Sequence, residues 1–247
     1  MPKISVFIIT FNEEKIIAKC LEKLNFADEI LIVDSGSTDK TVEICNLFGA
    51  KVILNKFENF GIQKQFALSQ TKNDWVLSLD ADEVLSDDLI SELQNFDSKF
   101  AGYNIPRTHV FLNKIFEYGS ENKKPILRFF DKTKGCFELN KVHEKIIVTG
   151  KLGNFKNEIL HYTVSDIATA VKKNINYAIL SGEFAFEKDK KSSIFKTIIK
   201  IPYEFIRVYF VQLNFMNGYQ GFVWSILSSF GTFLKFAKLY ELQKSRD

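Results

Sequence analysis

Four short β-rich runs crowd the first third of the chain, and they restrict its fold more than any other feature: Ile4–Thr10, Glu29–Val33, Lys51–Leu54 and Trp75–Leu79. Between them lie segments of helical spacing. Ile16, Ile17, Cys20, Leu21 and Leu24 form the first, Val42, Ile44, Cys45 and Phe48 the second, and Gly61–Gln70 reads as a third. Parallel strands need a crossover between them, so this alternation predicts an α/β fold: a mostly parallel sheet with helices on both faces. Asn12 is placed to cap the first helix, with Glu13 and Glu14 in its first turn. Gly49 is placed to stop the second helix, and Ser86 to cap one opening at Asp87.

Each strand ends in polar side chains, and ligands of open α/β sheets bind beyond the carboxyl ends of the strands. Thr10, Asn12 and Glu13 follow the first strand, Asp34, Ser35, Ser37 and Asp39 the second, and Asp80, Asp82 and Glu83 the fourth. Three clusters at equivalent places predict one shared pocket. Asp80 and Asp82 are two apart and would share a face of an extended chain. Adjacent carboxylates call for a compensating cation or water, and oxygen ligands of this kind suit Mg²⁺ or Mn²⁺. No G-x-G-x-x-G follows the first strand and no G-x-x-x-x-G-K-[S/T] occurs, which removes the phosphate cradles of dinucleotide-binding and P-loop enzymes.

The motifs T-F-N-E (10–13), V-D-S-G-S-T-D (33–39) and W-V-L-S-L-D-A-D-E (75–83) resemble the inverting family-2 glycosyltransferases of GT-A fold. Further on, L-R-F-F-D (127–131), V-H-E (142–144) and H-Y-T (161–163) resemble the branch containing lipopolysaccharide-core β-1,4-glucosyltransferases. The resemblance spans nearly the whole chain and implies a UDP-sugar donor, with glucose the expected sugar. It implies that Asp34 reads the uracil edge and that Thr10, Asn12 and Glu13 line the nucleotide pocket. Lys64, Asp80 and Arg128 would also face the donor, Arg128 through bidentate pairing with phosphate or a carboxylate. Asp82 and His161 would hold a divalent ion, Mg²⁺ or Mn²⁺, and Glu144 would be the base that takes the acceptor proton. His143 would orient substrate or Glu144, whereas His109, with no motif around it, reads as structural. Asp39 is either a helix cap or a ligand contact. The implied acceptor is a lipooligosaccharide core or another lipid-linked glycan. Two rivals stand beside this reading. A nucleotidyltransferase would carry a Gly-rich basic loop after strand one, where T-F-N-E-E stands; a non-catalytic sugar-nucleotide scaffold would have no use for Asp80, Asp82 and Glu144 together.

The texture changes after Asp166, which predicts a catalytic region over 1–165 and a helical appendage over 166–247. From Lys190 onward nine basic residues face three acids, whereas the whole 247-residue chain carries a net charge of only +3. That net charge gives no reason to expect nucleic acid, but a basic, aromatic tail suits an anionic membrane surface. Val208–Leu234 has no charged residue and is long enough to span a bilayer, yet Gln212, Asn214, Asn217, Gly218 and Gln220 interrupt it. Two shorter helices turning at Asn217–Gly218 fit better, as an interfacial hairpin or as a surface for a second subunit. Cys20, Cys45 and Cys136 are scattered, with no C-x-x-C, which points to a reducing compartment without disulfides or zinc. The N-terminus runs straight into a strand with no room for a signal peptide, so the expectation is a cytoplasmic protein held peripherally at the inner membrane.

Overall fold

The computed structural model describes residues 2–138 and 145–245. Its first part runs β1 (Ile4–Thr10), α1 (Ile17–Leu21), β2 (Glu29–Asp34), α2 (Thr41–Leu47), β3 (Lys51–Leu54), α3 (Phe60–Gln70) and β4 (Trp75–Asp80). There follow β5 (Glu83–Leu85), α4 (Asp87–Gln94), β6 (Gly102–Phe111), β7 (Lys114–Ile115), β8 (Lys124–Asp131) and β9 (Gly135–Phe137). The chain continues through β10 (Ile146–Val148), β11 (Leu152–Asn154) and β12 (Ile159–Val164) to three long helices, α5 (Ile167–Glu187), α6 (Ile194–Ile206) and α7 (Gly218–Lys244). It divides into two compact units, Met1–Thr108 with Lys123–Tyr162, and His109–Asn122 with Thr163–Asp247.

In the first unit β3, β2, β1 and β4 lie side by side and parallel. β8 then pairs antiparallel with β4, and β6 antiparallel with β8. All seven residues of β1 are buried, as a strand covered on both faces requires. Alternate side chains divide between two cores. Val6, Ile8, Ile32, Leu77 and Leu79 pack with Ile17, Cys20 and Leu21 of α1 and Cys45 of α2. Phe7, Ile9, Leu31, Val33 and Val76 pack instead with Ala67 and Leu68 of α3 and with Phe137. Helices therefore cover both faces, as the α/β pattern predicts.

Local signals set several boundaries. Ser86 caps α4 by accepting from the Leu89 N–H at 3.3 Å. The end of α2 is a Schellman motif, in which the Gly49 N–H donates to Asn46 O and the Ala50 N–H to Cys45 O. The capping role expected of Asn12 is not found. Asn12 takes a left-handed conformation (φ 55°) and accepts from the Thr38 N–H at 2.8 Å, and α1 opens only at Ile17 with no side-chain cap. The competing partner lies in the loop after β2 and is invisible in the local sequence.

The second unit takes in the 109–122 hairpin as well as the C-terminal helices, so it is not a single cut of the chain at 165. Phe111, Phe116 and Ala170 pack with Val223, Trp224 and Leu227, and the His109 ring lies 4.6 Å from that of Trp224. Between α6 and α7 the chain makes a wide helical turn (Arg207–Val211), a left-handed residue at Leu213 and a tight turn at Asn214–Asn217. The interruption expected near Asn217–Gly218 is thus where the helices separate. Among the described residues no helix is long and apolar enough to cross a membrane.

Candidate functional site

The carboxyl ends of β1, β2 and β4 bring the polar clusters together. Thr10 is in register with Asp34, and Ile9 with Asp80. Asp34 and Asp80 therefore flank β1, about 10 Å apart across two strand spacings. The loops beyond are laced to each other. The Asn12 N–H donates to Ser37 Oγ at 2.9 Å and the Glu13 N–H to Thr41 Oγ1 at 2.8 Å.

Asp34 is 1% exposed and folds its own loop, accepting at Oδ2 from the N–H groups of Gly36 and Ser37, both at 2.8 Å. Asp39 acts at the start of α2, accepting from the Thr41 N–H at 3.0 Å and the Glu14 N–H at 3.1 Å. Desolvation opposes its charge, but these bonds and that from the Thr41 hydroxyl hold its carboxyl below the ordinary range. These bonds give Asp39 the loop-holding role.

Asp80 is the centre of a charged network. Lys64 Nζ lies 2.9 Å from its Oδ1 and Arg128 Nη2 2.6 Å from its Oδ2. Lys64 is 1% exposed, so it is no solvated helix lysine. Burial opposes the Asp80 charge, yet Arg128 and Lys64 outweigh it and keep the carboxyl far below the usual carboxylate range. Burial likewise opposes the Arg128 charge, and Asp80 with Glu83 pushes its pKa upward.

Glu83, fully buried, ties this network to the backbone. Its Oε1 accepts from Arg128 at 2.8 Å and lies 3.6 Å from Arg107, and its Oε2 accepts from the Asp80 N–H at 3.0 Å. Sequence reasoning gave Glu83 no role of its own and passed over Arg107 altogether. It also passed over Gln63, which joins Ser35 Oγ and Asn55 O, both at 3.1 Å. A signal existed for Lys64, since it shares a helical stripe with Gly61 and Leu68, the face that α3 buries.

Asp82 and His161, the expected metal pair, do meet: Asp82 Oδ2 and His161 Nε2 are 3.3 Å apart, each side chain about one-fifth exposed. Antiparallel pairing of β5 with β12 sets His161 opposite Glu83, and the Tyr162 N–H donates to Asp82 O at 2.8 Å. The carboxylate oxygen suits Mg²⁺ or Mn²⁺, and the imidazole nitrogen beside it favours a Mn²⁺-like ion over the harder Mg²⁺. Among the described residues no three such groups are disposed to hold an ion. An ion on this pair would draw its other ligands from water and phosphate, the usual habit of Mg²⁺. Two buried polar atoms, Thr10 Oγ1 and Arg128 Nε, have no hydrogen-bond partner among the described residues. Glu144 and His143 lie outside the described residues.

Acids and cations thus gather beyond the carboxyl ends of the four parallel strands, where open α/β sheets bind their ligands. Residues 5–156, more than half the chain, match the family described as Glycosyl transferase family 2. The chain belongs to this family, and it is a glycosyltransferase. An uncharacterized glycosyltransferase of Rickettsia typhi is 35% identical, over 100% of this chain and 90% of its own. The lipopolysaccharide core biosynthesis glycosyltransferase LpsC of Rhizobium meliloti is 31% identical, over 98% and 94%. Among solved structures, S. aureus TarS is 17% identical with a TM-score of 0.48, over 72% of this chain and 39% of that one.

Proposed function

We propose that the protein is a metal-dependent inverting glycosyltransferase that moves a sugar, glucose in the first instance, from a UDP-sugar to a lipooligosaccharide core or other lipid-linked glycan at the inner face of the membrane. The observation that carries this reading is the gathering of Asp34, Asp80 and Asp82, at or just beyond the ends of β2 and β4, with Lys64 of α3, Arg128 of β8 and His161 of β12. One relative, named for lipopolysaccharide core biosynthesis, favours the glycan acceptor.

The residues divide the work by charge. Asp34 and the laced loops of Thr10, Asn12 and Glu13 form a floor for the nucleoside. Lys64 and Arg128 bring positive charge beside Asp80, which holds both side chains in place for a diphosphate. Thr10 Oγ1 and Arg128 Nε keep unused hydrogen-bonding capacity there. Asp82 and His161 would hold Mg²⁺ or Mn²⁺, which supplies charge neutralisation for the departing diphosphate. Glu144 is the proposed base on the acceptor hydroxyl, a role that rests on the resemblance of V-H-E alone. The reaction then depends on positioning and electrostatics, with no covalent enzyme intermediate.

The test is release of UDP from UDP-glucose with Mn²⁺ and an extracted lipooligosaccharide acceptor. Asp82→Ala is expected to abolish release with little change in Tm, and Glu144→Gln to keep UDP binding by calorimetry while turnover collapses. Full turnover in Asp82→Ala would remove the metal site, and full turnover in Glu144→Gln would reassign the base. Failure of every UDP-sugar with the wild-type protein would remove the UDP-sugar donor.

A further inference from the structure

Where α6, the elbow after it and α7 meet, small and polar residues make much of the contact. Thr197 is the buried residue of α6, and the buried residues of α7 are Gly221, Ser225, Ser229 and Leu239. Asn214 and Asn217, in the turn between these helices, are each 1% exposed. The seam is joined by polar bonds: Ser229 Oγ donates to Ile201 O at 2.7 Å, and Asn214 Nδ2 to Val208 O at 2.9 Å. Gly221 packs so closely on the Asn214 carbonyl that a Cβ there would come within 1.9 Å of its oxygen. Large apolar side chains point outward instead. Phe195 is 74% exposed, Val211 71%, Tyr219 63%, Phe210 54%, Ile206 53% and Met216 51%. Water-soluble bundles bury such residues. Small and polar residues at the helix contact, with apolar ones outside, is how helices pack in lipid.

Charge identifies the occupant. Lys196, Lys200 and Arg207 lie along α6 and its extension, and Glu204 is the sole acid between Lys190 and Tyr240. Arg207 holds that Glu204 in an ion pair. A second copy seated on this face through a two-fold axis would set Lys196 and Lys200 near their own counterparts. An anionic bilayer has the opposite sign. The break between Val211 and Gly218 keeps any insertion shallow.

We infer that the exposed face of α6 and the elbow joining it to α7 dock on an anionic lipid bilayer, sinking Val211, Phe215, Met216 and Tyr219 into the headgroup–acyl boundary while Lys196 and Lys200 meet the headgroups. This goes beyond the transfer reaction and does not depend on it. A basic helix with apolar residues on its other side lies in the interface plane, and each Lys or Arg at an anionic leaflet strengthens binding about fivefold.

The experiment is flotation of the full chain with phosphatidylcholine vesicles made with and without phosphatidylglycerol, at low and high salt. The expected result is binding about tenfold or more tighter to the phosphatidylglycerol vesicles, weakened by salt. Val211→Glu with Tyr219→Glu, both exposed and so expected to leave Tm and circular dichroism unchanged, lowers that binding by about tenfold or more. Lys196→Glu with Lys200→Glu removes the preference for phosphatidylglycerol. No flotation, equal binding to both vesicles, or a Val211→Glu/Tyr219→Glu variant that floats like wild type would overturn the inference. So would a dimer by light scattering that the same variant splits and vesicles do not. Calorimetry with UDP on the same samples separates the two proposals: UDP binding without flotation sinks the membrane surface and leaves the transferase.

Discussion

Asp80 is held between Lys64 and Arg128, and this arrangement has a cost and a pH dependence. The three groups are mutually compensating, so removing one charge leaves the others poorly solvated in a buried place. Asp80→Asn is expected to destabilise the fold by about 3 kcal/mol at neutral pH. The folded-state pKa of Asp80 is depressed, so its contribution is fully present above the ordinary carboxylate pKa of about 4 and is lost as pH falls below it. The gap between wild type and Asp80→Asn in urea melts should therefore shrink steadily below about pH 4. A gap independent of pH would show that the ion pairs are not its source. What the sequence offered at this scale was the identity of the acids, because carboxylates at strand ends are conspicuous. Lys64, Arg128 and His161 came only through the family resemblance, and the contacts of Glu83 with Arg107 and Arg128 did not come at all. Arg107 and Arg128 come from strands far along the chain, and nothing in either neighbourhood points to Glu83, which both of them face.

Among the elements, those whose ends are governed by neighbouring residues were readable and those governed by distant ones were not. α2 and α4 stop and start at Gly49 and Ser86 because the cap bonds reach only three to five residues. α1 starts late because Asn12 is engaged by Thr38, a residue beyond the next strand. The 109–122 hairpin likewise joins the C-terminal helices through Asn217, whose Nδ2 donates to Tyr118 O at 3.0 Å, about a hundred residues away in sequence. An acid at 217 could not donate that bond. The cap at Gly49 gives a clean test, since its φ is +72° and nothing lies within 4 Å of where a Cβ would stand. Gly49→Ala should cost about 1 kcal/mol from backbone strain alone. Its thermal melt is the measurement, and an unchanged Tm would mean that the end of α2 rearranges freely.

At the scale of the whole chain, one sheet order carries the consequence that matters most. Because β1 sits between β2 and β4, the loops after all three open on the same edge, and the polar atoms there belong to one surface. A ligand bridging those loops stabilises the folded state by mass action, whatever its later chemistry. At a UDP concentration about 100 times its Kd, with Mn²⁺ present, the gain is about 2.7 kcal/mol. For a chain of this length each kcal/mol moves Tm by about 2–4 °C, so the expected rise is roughly 5–10 °C. ATP should give a smaller rise, because a carboxylate placed to accept from the uracil N3–H would face a lone pair at adenine N1. Asp82→Ala should keep its own Tm and lose the part of the rise that requires Mn²⁺. If UDP and ATP shift the wild-type melt equally, the strand-end groups act as a general anion site, and the nucleoside selectivity assigned to Asp34 and its loop is wrong.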